Sequence, residues 1–135
     1  MLRHVKTYEA MSLALASQLA VVPDNLIFAT ARGDPTPALQ ELIQRSEGRV
    51  KFVKLDVTSR SSAEAAENQI SAFLGDNKID VLINNAGIIN WMTDGIDAMD
   101  DLDSTFNTNF TGASIVASTF IPLLKKGAQK KVVNI

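Results

Sequence analysis

The sequence predicts an α/β fold built on a parallel sheet, and three observations predict it. Helical and strand signals alternate along the chain. The strand segments 26–31 and 79–83 carry apolar residues on both faces, as in strands covered on both sides. The segments between strands carry apolar residues at helical spacing. At 135 residues the chain makes one domain at most. That length buries roughly two-thirds of the surface an unfolded chain exposes.

The first element is an amphipathic helix over 11–22, with Tyr8, Met11, Leu15, Leu19 and Val22 as its apolar stripe. Basic residues precede it, which faintly resembles a leader segment. Glu9, Ser12, Ser17 and Gln18 interrupt the apolar run, however, and 12 residues are too few to cross a bilayer. A turn at Pro23-Asp24-Asn25 leads into the strand 26–31, and Arg32-Gly33-Asp34-Pro35 is a loop. A second helix follows over 36–46, with Leu39, Leu42 and Ile43 inward and Gly48 closing it. Residues 50–57 alternate as a half-buried strand. The helix 58–74 turns Ala63, Ala66, Ile70, Phe73 and Leu74 to one face, with Ser61 and Glu64 at capping-box spacing and Gly75 at its end. The strand 79–83 runs into Asn84-Asn85-Ala86-Gly87, and an irregular stretch surrounds 90–95. A long helix over 99–126 carries the stripe Met99, Leu102, Phe106, Asn109/Phe110, Ala113, Val116, Phe120 and Leu124. A last strand begins at Lys131.

Composition narrows the chemistry. A net charge of −2 gives no electrostatic reason to expect nucleic acid or a membrane surface as partner. Lys125, Lys126, Lys130 and Lys131 read as a solvated helix end. There is no cysteine, so disulfides and thiolate sites are excluded within these residues. The single histidine, His4, has no carboxylate cluster around it, so no metal site is expected. Asn109-Phe110-Thr111 matches a glycosylation sequon, which carries no weight without secretion. A cytoplasmic protein is expected.

In open parallel sheets, ligands bind at the carboxyl ends of the strands. Three such ends carry informative residues. Asp56-Val57 follows one, and a carboxylate there suits an adenine amine. Asn85-Ala86-Gly87 follows another, where small residues admit a ribose close to the backbone. Arg32 follows a third, and its guanidinium suits a phosphate. Each also has a plain reading, as turn former or solvated loop charge. Asn109 sits on the apolar stripe of the long helix, which predicts a buried and hydrogen-bonded amide. Its plain reading is a helix-kink residue beside Gly112.

Taken together, Leu82-Ile83-Asn84-Asn85-Ala86-Gly87, Leu55-Asp56-Val57-Thr58 and Phe106-Asn107-Thr108-Asn109-Phe110-Thr111-Gly112 resemble three motifs of the short-chain dehydrogenase/reductase family. Phe28-Ala29-Thr30-Ala31-Arg32 and Lys130-Lys131-Val132-Val133-Asn134-Ile135 resemble its carbonyl reductase-like branch. The match covers roughly residues 13–135. It implies a Rossmann-like three-layer parallel sheet and an oxidoreductase that reduces a small-molecule carbonyl substrate with a nicotinamide cofactor. It further implies that Arg32, Asp56, Val57, Asn85, Ala86 and Gly87 bind that cofactor. Asn109 takes the place of the family's tetrad asparagine, which holds a water in a proton relay. Members that prefer NAD commonly carry an acid after the strand occupied here by 26–31. Thr30-Ala31-Arg32 stands there instead, so NADP is expected.

The chain departs from the family pattern at both ends. No glycine precedes Gly33, and Ala10-Met11-Ser12 aligns where a Gly-x-Gly would cradle the pyrophosphate. Residues 1–4 are too short and polar to read as the family's first strand. That strand would lie between 26–31 and 79–83. The only tyrosine is Tyr8, and Ser12 rather than Lys stands four residues later, so no Tyr-x-x-x-Lys pair is present. The expectation is one partial dinucleotide-binding domain over 1–135, divergent over 1–12 and incomplete at both termini. It would lack its first strand, the Gly-rich turn and everything after the fifth strand, and be inactive as it stands. The alternative is a noncatalytic nucleotide-binding or interaction remnant. Uncovered apolar residues of the helix 99–126 predict marginal stability and an oligomer formed through it.

Overall fold

A computed structural model describes residues 3–7, 9–76, 78–88 and 102–135, with backbone alone for those before Met11. Five parallel strands form one sheet in the order β3-β2-β1-β4-β5. They are β1 (Arg3–Thr7), β2 (Leu26–Ala31), β3 (Val50–Lys54), β4 (Val81–Asn84) and β5 (Lys131–Asn134). The helices α1 (Glu9–Ala20) and α2 (Pro37–Arg45) cover one face. α3 (Arg60–Leu74) and α5 (Ala113–Lys125) cover the other. The Rossmann-like three-layer architecture expected from the alternation is therefore present.

The strand period builds both cores. In β2, Ile27 and Ala29 face α1 and α2, while Phe28 faces α3 and α5. Phe28, Phe120, Ile70 and Leu82 are almost wholly buried in the larger core. Each such side chain stabilises by roughly 1.5–3 kcal/mol relative to exposure. Thr36 caps α2 by accepting from the Leu39 N–H at 3.3 Å, with Pro37 at the first helical position. After α2 the chain reverses through Glu47 and Gly48, both at positive φ.

Several sequence expectations are corrected. The slot between β2 and β4 is not vacant: β1 pairs in parallel with β2 from Arg3 to Thr7 and with β4 from His4 to Lys6. Its polar composition hid it, but β2 and β4 each present a row of backbone groups that need a ladder partner. Pairing there overrides propensity. The stripe of α1 is rotated from the expected one. Ala16 is buried with Leu13, Leu19 and Ala20 packed around it, while Met11 and Val22 are exposed. A small residue lets the helix sit close on the sheet. The α3 cap is Ser59, whose hydroxyl accepts from the Ser62 N–H at 3.2 Å, rather than Ser61 with Glu64. Phe73 stays half exposed, between Phe28 and the Lys51 ammonium 4.8 Å above its ring.

The expected long helix is interrupted. α4 (Leu102–Phe106) passes into a π-helical turn over Asn107–Gly112 before α5 begins. Tyr8, the 90–95 stretch and Met99 lie outside the described residues. Leu102, Phe106 and Phe110 are more than half exposed, as is Ile135 after β5, so the stripe is buried only from Gly112 onward.

Candidate functional site

A cleft of about 600 Å³ opens over the carboxyl ends of β2, β3 and β4. Arg32, Asp56, Val57, Ala86 and Gly87 all line it, together with Asn107 and Thr108 of the π-turn. Five of the six residues expected to touch a cofactor are thus brought to one place. This is where a parallel sheet offers converging strand ends and nothing to cover them.

Asp56 is fixed by its own neighbourhood. Its Oδ1 accepts from the Thr58 hydroxyl at 2.7 Å and from the Thr58 N–H at 3.0 Å, an Asx-turn. Its own N–H donates to Ser62 Oγ at 2.9 Å. The Thr58 hydroxyl bond, chiefly, holds the carboxyl below its ordinary pKa. Partial burial opposes this, while the Thr58 N–H and the Arg32 charge assist. The cleft therefore holds a fixed anion on one wall, an exposed guanidinium near it, and the apolar surface of Leu55 and Val57 between.

Ile88, which also lines the cleft, is held in place by Asn109. The Asn109 Oδ1 accepts from the Ile88 N–H at 2.7 Å, and its Nδ2 donates to the Ile88 carbonyl at 2.8 Å. One side-chain amide thus replaces a strand partner for the segment leaving β4. Asn109 is exposed, against the expected burial, because the π-turn swings it out to meet Ile88. π-turns inside α-helices are frequent at functional sites. Gly87 is needed for space rather than for an unusual dihedral. A Cβ there would lie 3.3 Å from Asn109 Oδ1, and its φ is not positive. Gly112 works similarly: a Cβ would stand 2.9 Å from Val57 Cγ2.

Asn85 departs from its expected place. It is buried, it does not line the cleft, and its Nδ2 donates to Ser12 Oγ on α1 at 3.0 Å. Asn84 donates to Asn134 Oδ1 at 2.9 Å and so joins the ends of β4 and β5. Both side-chain amides of the Asn pair thus tie one element of the fold to another. Sequence reasoning gave Thr58, Ile88 and Ser12 no role of their own. The Asp-x-Thr spacing does signal the first. Nothing local signals the other two, because their partners lie 21 and 73 residues away.

The foot of α1 is different again. β1 ends at Thr7 and α1 begins at Glu9, and no glycine occurs in the sequence before Gly33. The hollow beside Ser12, Leu13 and Thr36 measures about 20 Å³, room for about one water. The residues present thus fit the nucleoside end of a dinucleotide and do not fit a pyrophosphate cradle.

Among the described residues no group of acidic or histidine side chains suits a metal ion, and no helix is long and apolar enough to cross a membrane. A family model described as short chain dehydrogenase matches residues 9–135. An uncharacterized oxidoreductase of Schizosaccharomyces pombe is 32% identical over 124 residues, 91% of this chain and 48% of that protein. Human 17-beta-hydroxysteroid dehydrogenase type 2 is 31% identical over 110 residues, 81% of this chain and 28% of that protein. Among solved structures, NADPH-bound carbonyl reductase from chicken fatty liver superposes with a TM-score of 0.81 at 28% identity, covering 96% of this chain and 51% of that one. The chain spans about half the length of the curated relatives that it matches, or less. With the cleft at its strand ends and the family pattern from residue 9 onward, the chain belongs to the short-chain dehydrogenase family of oxidoreductases.

Proposed function

We propose that residues 1–135 are part of a nucleotide-binding domain, divergent over 1–12, of an NADP-dependent oxidoreductase that reduces a small-molecule carbonyl compound. The supporting observation is the cleft that joins Arg32, Asp56, Val57, Ala86 and Gly87. A guanidinium at the end of β2 attracts a 2′-phosphate, where a carboxylate would repel it. When bound, NADPH supplies the hydride that such a reaction adds to a carbonyl carbon. Of the residues on hand, Asp56 and the Ala86-Gly87 backbone hold the nucleoside. Asn109 fixes the Ile88 segment that borders it. Asn85 backs the Ala86-Gly87 wall, with its Nδ2 held by Ser12 and its backbone leading into Ala86.

A cytoplasmic setting and a homo-oligomer belong to the same proposal. The exposed stacked pair Phe106 and Phe110, 4.9 Å apart, supports contact with a second copy through the α4 face. Light scattering on the purified chain tests the contact, and subcellular fractionation tests the setting. Calorimetric titration of NADPH and NADH tests the cofactor reading. NADPH is expected to bind more tightly, and no binding of either at millimolar concentration would sink it. In that event the noncatalytic interaction reading takes its place. Sequencing the coding region on both sides of the 135 residues is the second test. A Tyr-x-x-x-Lys downstream is required for the activity proposed.

A further inference from the structure

The two halves of the expected dinucleotide site are not equally built, and this has a consequence for what the cleft recognises. A pyrophosphate is held in such folds by backbone N–H groups at a helix N-terminus, reached through a glycine-rich turn. Here β1 ends at Thr7 and α1 begins at Glu9, and no glycine lies in the sequence before Gly33. The first residue of α1 is Glu9, whose charge opposes that of a phosphate at the same helix end. Ser12 fills the position of the last cradle glycine. Its hydroxyl is engaged by the buried Asn85 amide, and the hollow beside it admits about one water. The cleft over Asp56 and Gly87 is about 600 Å³, against about 20 Å³ for that hollow.

We infer that this chain recognises the nucleoside end of its ligand alone, so that an adenine mononucleotide binds as tightly as the whole dinucleotide. The inference rests on the proposed nucleotide-binding role of the cleft and deepens it. It requires that the diphosphate and the nicotinamide end add no net affinity, because no glycine-rich turn offers the first a cradle and the hollow beside Ser12 admits only about one water.

Isothermal titration of the full 135-residue chain with adenosine, adenosine 2′-monophosphate, adenosine 5′-diphosphate and NADP⁺ tests it. Adenosine 2′-monophosphate and NADP⁺ are expected to agree within threefold in Kd, and adenosine 5′-diphosphate to gain nothing over adenosine. NADP⁺ binding thirtyfold or more tighter than adenosine 2′-monophosphate would overturn the inference, as would no binding by any of the four. Equal affinity for adenosine and adenosine 2′-monophosphate, with NADP⁺ again no tighter, would end the NADP preference yet support the inference. Glu9→Gln gives an independent reading. Less than a threefold change for NADP⁺ is expected, since Ser12 and Asn85 still close the foot of α1. A tenfold tightening for NADP⁺ without one for adenosine 2′-monophosphate would show a phosphate reaching the helix end, and would refute it.

Discussion

The β3–β4 side of the sheet and the β1–α1 side sit next to each other and have been shaped for opposite ends. On the first, side chains fix the rim of an open cleft. Asn109 clamps Ile88, Thr58 fixes Asp56, and Gly87 and Gly112 let the π-turn come close without filling the space. On the second, side chains draw elements together. Asn85 reaches from the end of β4 to Ser12, and the hollow beside that contact is water-sized. The same motif, Asn84-Asn85-Ala86-Gly87, contributes to both. Its asparagines knit the sheet while its small residues border the cleft. A polar residue at a strand end is therefore no guide to ligand contact until its own hydrogen-bond partner is known.

The largest effect is expected at Gly127, which precedes β5 at the amino end of the sheet, away from the cleft. A Cβ there would overlap the Ile79 carbonyl oxygen. Gly127→Ala is expected to cost about 3 kcal/mol, seen as a lower midpoint in urea unfolding. Gly112→Ala comes next, at about 2 kcal/mol, because Val57 must give way. If the cleft wall matters as argued, nucleotide affinity measured by calorimetry falls with it.

Ser12→Ala sharpens the contrast from the other side. It leaves the buried Asn85 amide without its partner, at a cost of about 1 kcal/mol in thermal or urea unfolding. Nucleotide affinity should stay unchanged, and a large loss would mean that the foot of α1 binds ligand after all. The smallest effect is a pH dependence. Asp56 has a lowered pKa in the fold, so its stabilisation is complete above the unfolded-state value and lost as pH falls through the folded one. The difference in melting temperature between the chain and Asp56→Asn should be constant from about pH 7 to 5 and shrink as pH falls below about 4. A difference that grew on acidification would contradict the Thr58 bond as its cause.

Much of this was legible in the sequence. Apolar runs and period-two alternation located β2, β3 and β4, and glycines marked the ends of α2 and α3. The strand-end rule collected Arg32, Asp56, Val57, Ala86 and Gly87 before any coordinates. β1 was missed because its identity comes from its neighbours: a polar segment becomes a central strand when two flanking strands require ladder partners. The burial of Asn109 was misjudged because a straight helix was assumed, whereas the π-turn rotates that side chain outward.

The sequence by itself determined the layered α/β order, the family and the residue types that border the cleft, since these follow from periodicity and local turn chemistry. Only the tertiary structure decided which way each polar side chain points. Asn85 turns to Ser12, Asn84 to Asn134 and Asn109 to Ile88, over separations of 73, 50 and 21 residues. The partner of a buried amide is chosen by what the fold brings within about 3 Å, and no local pattern carries that information.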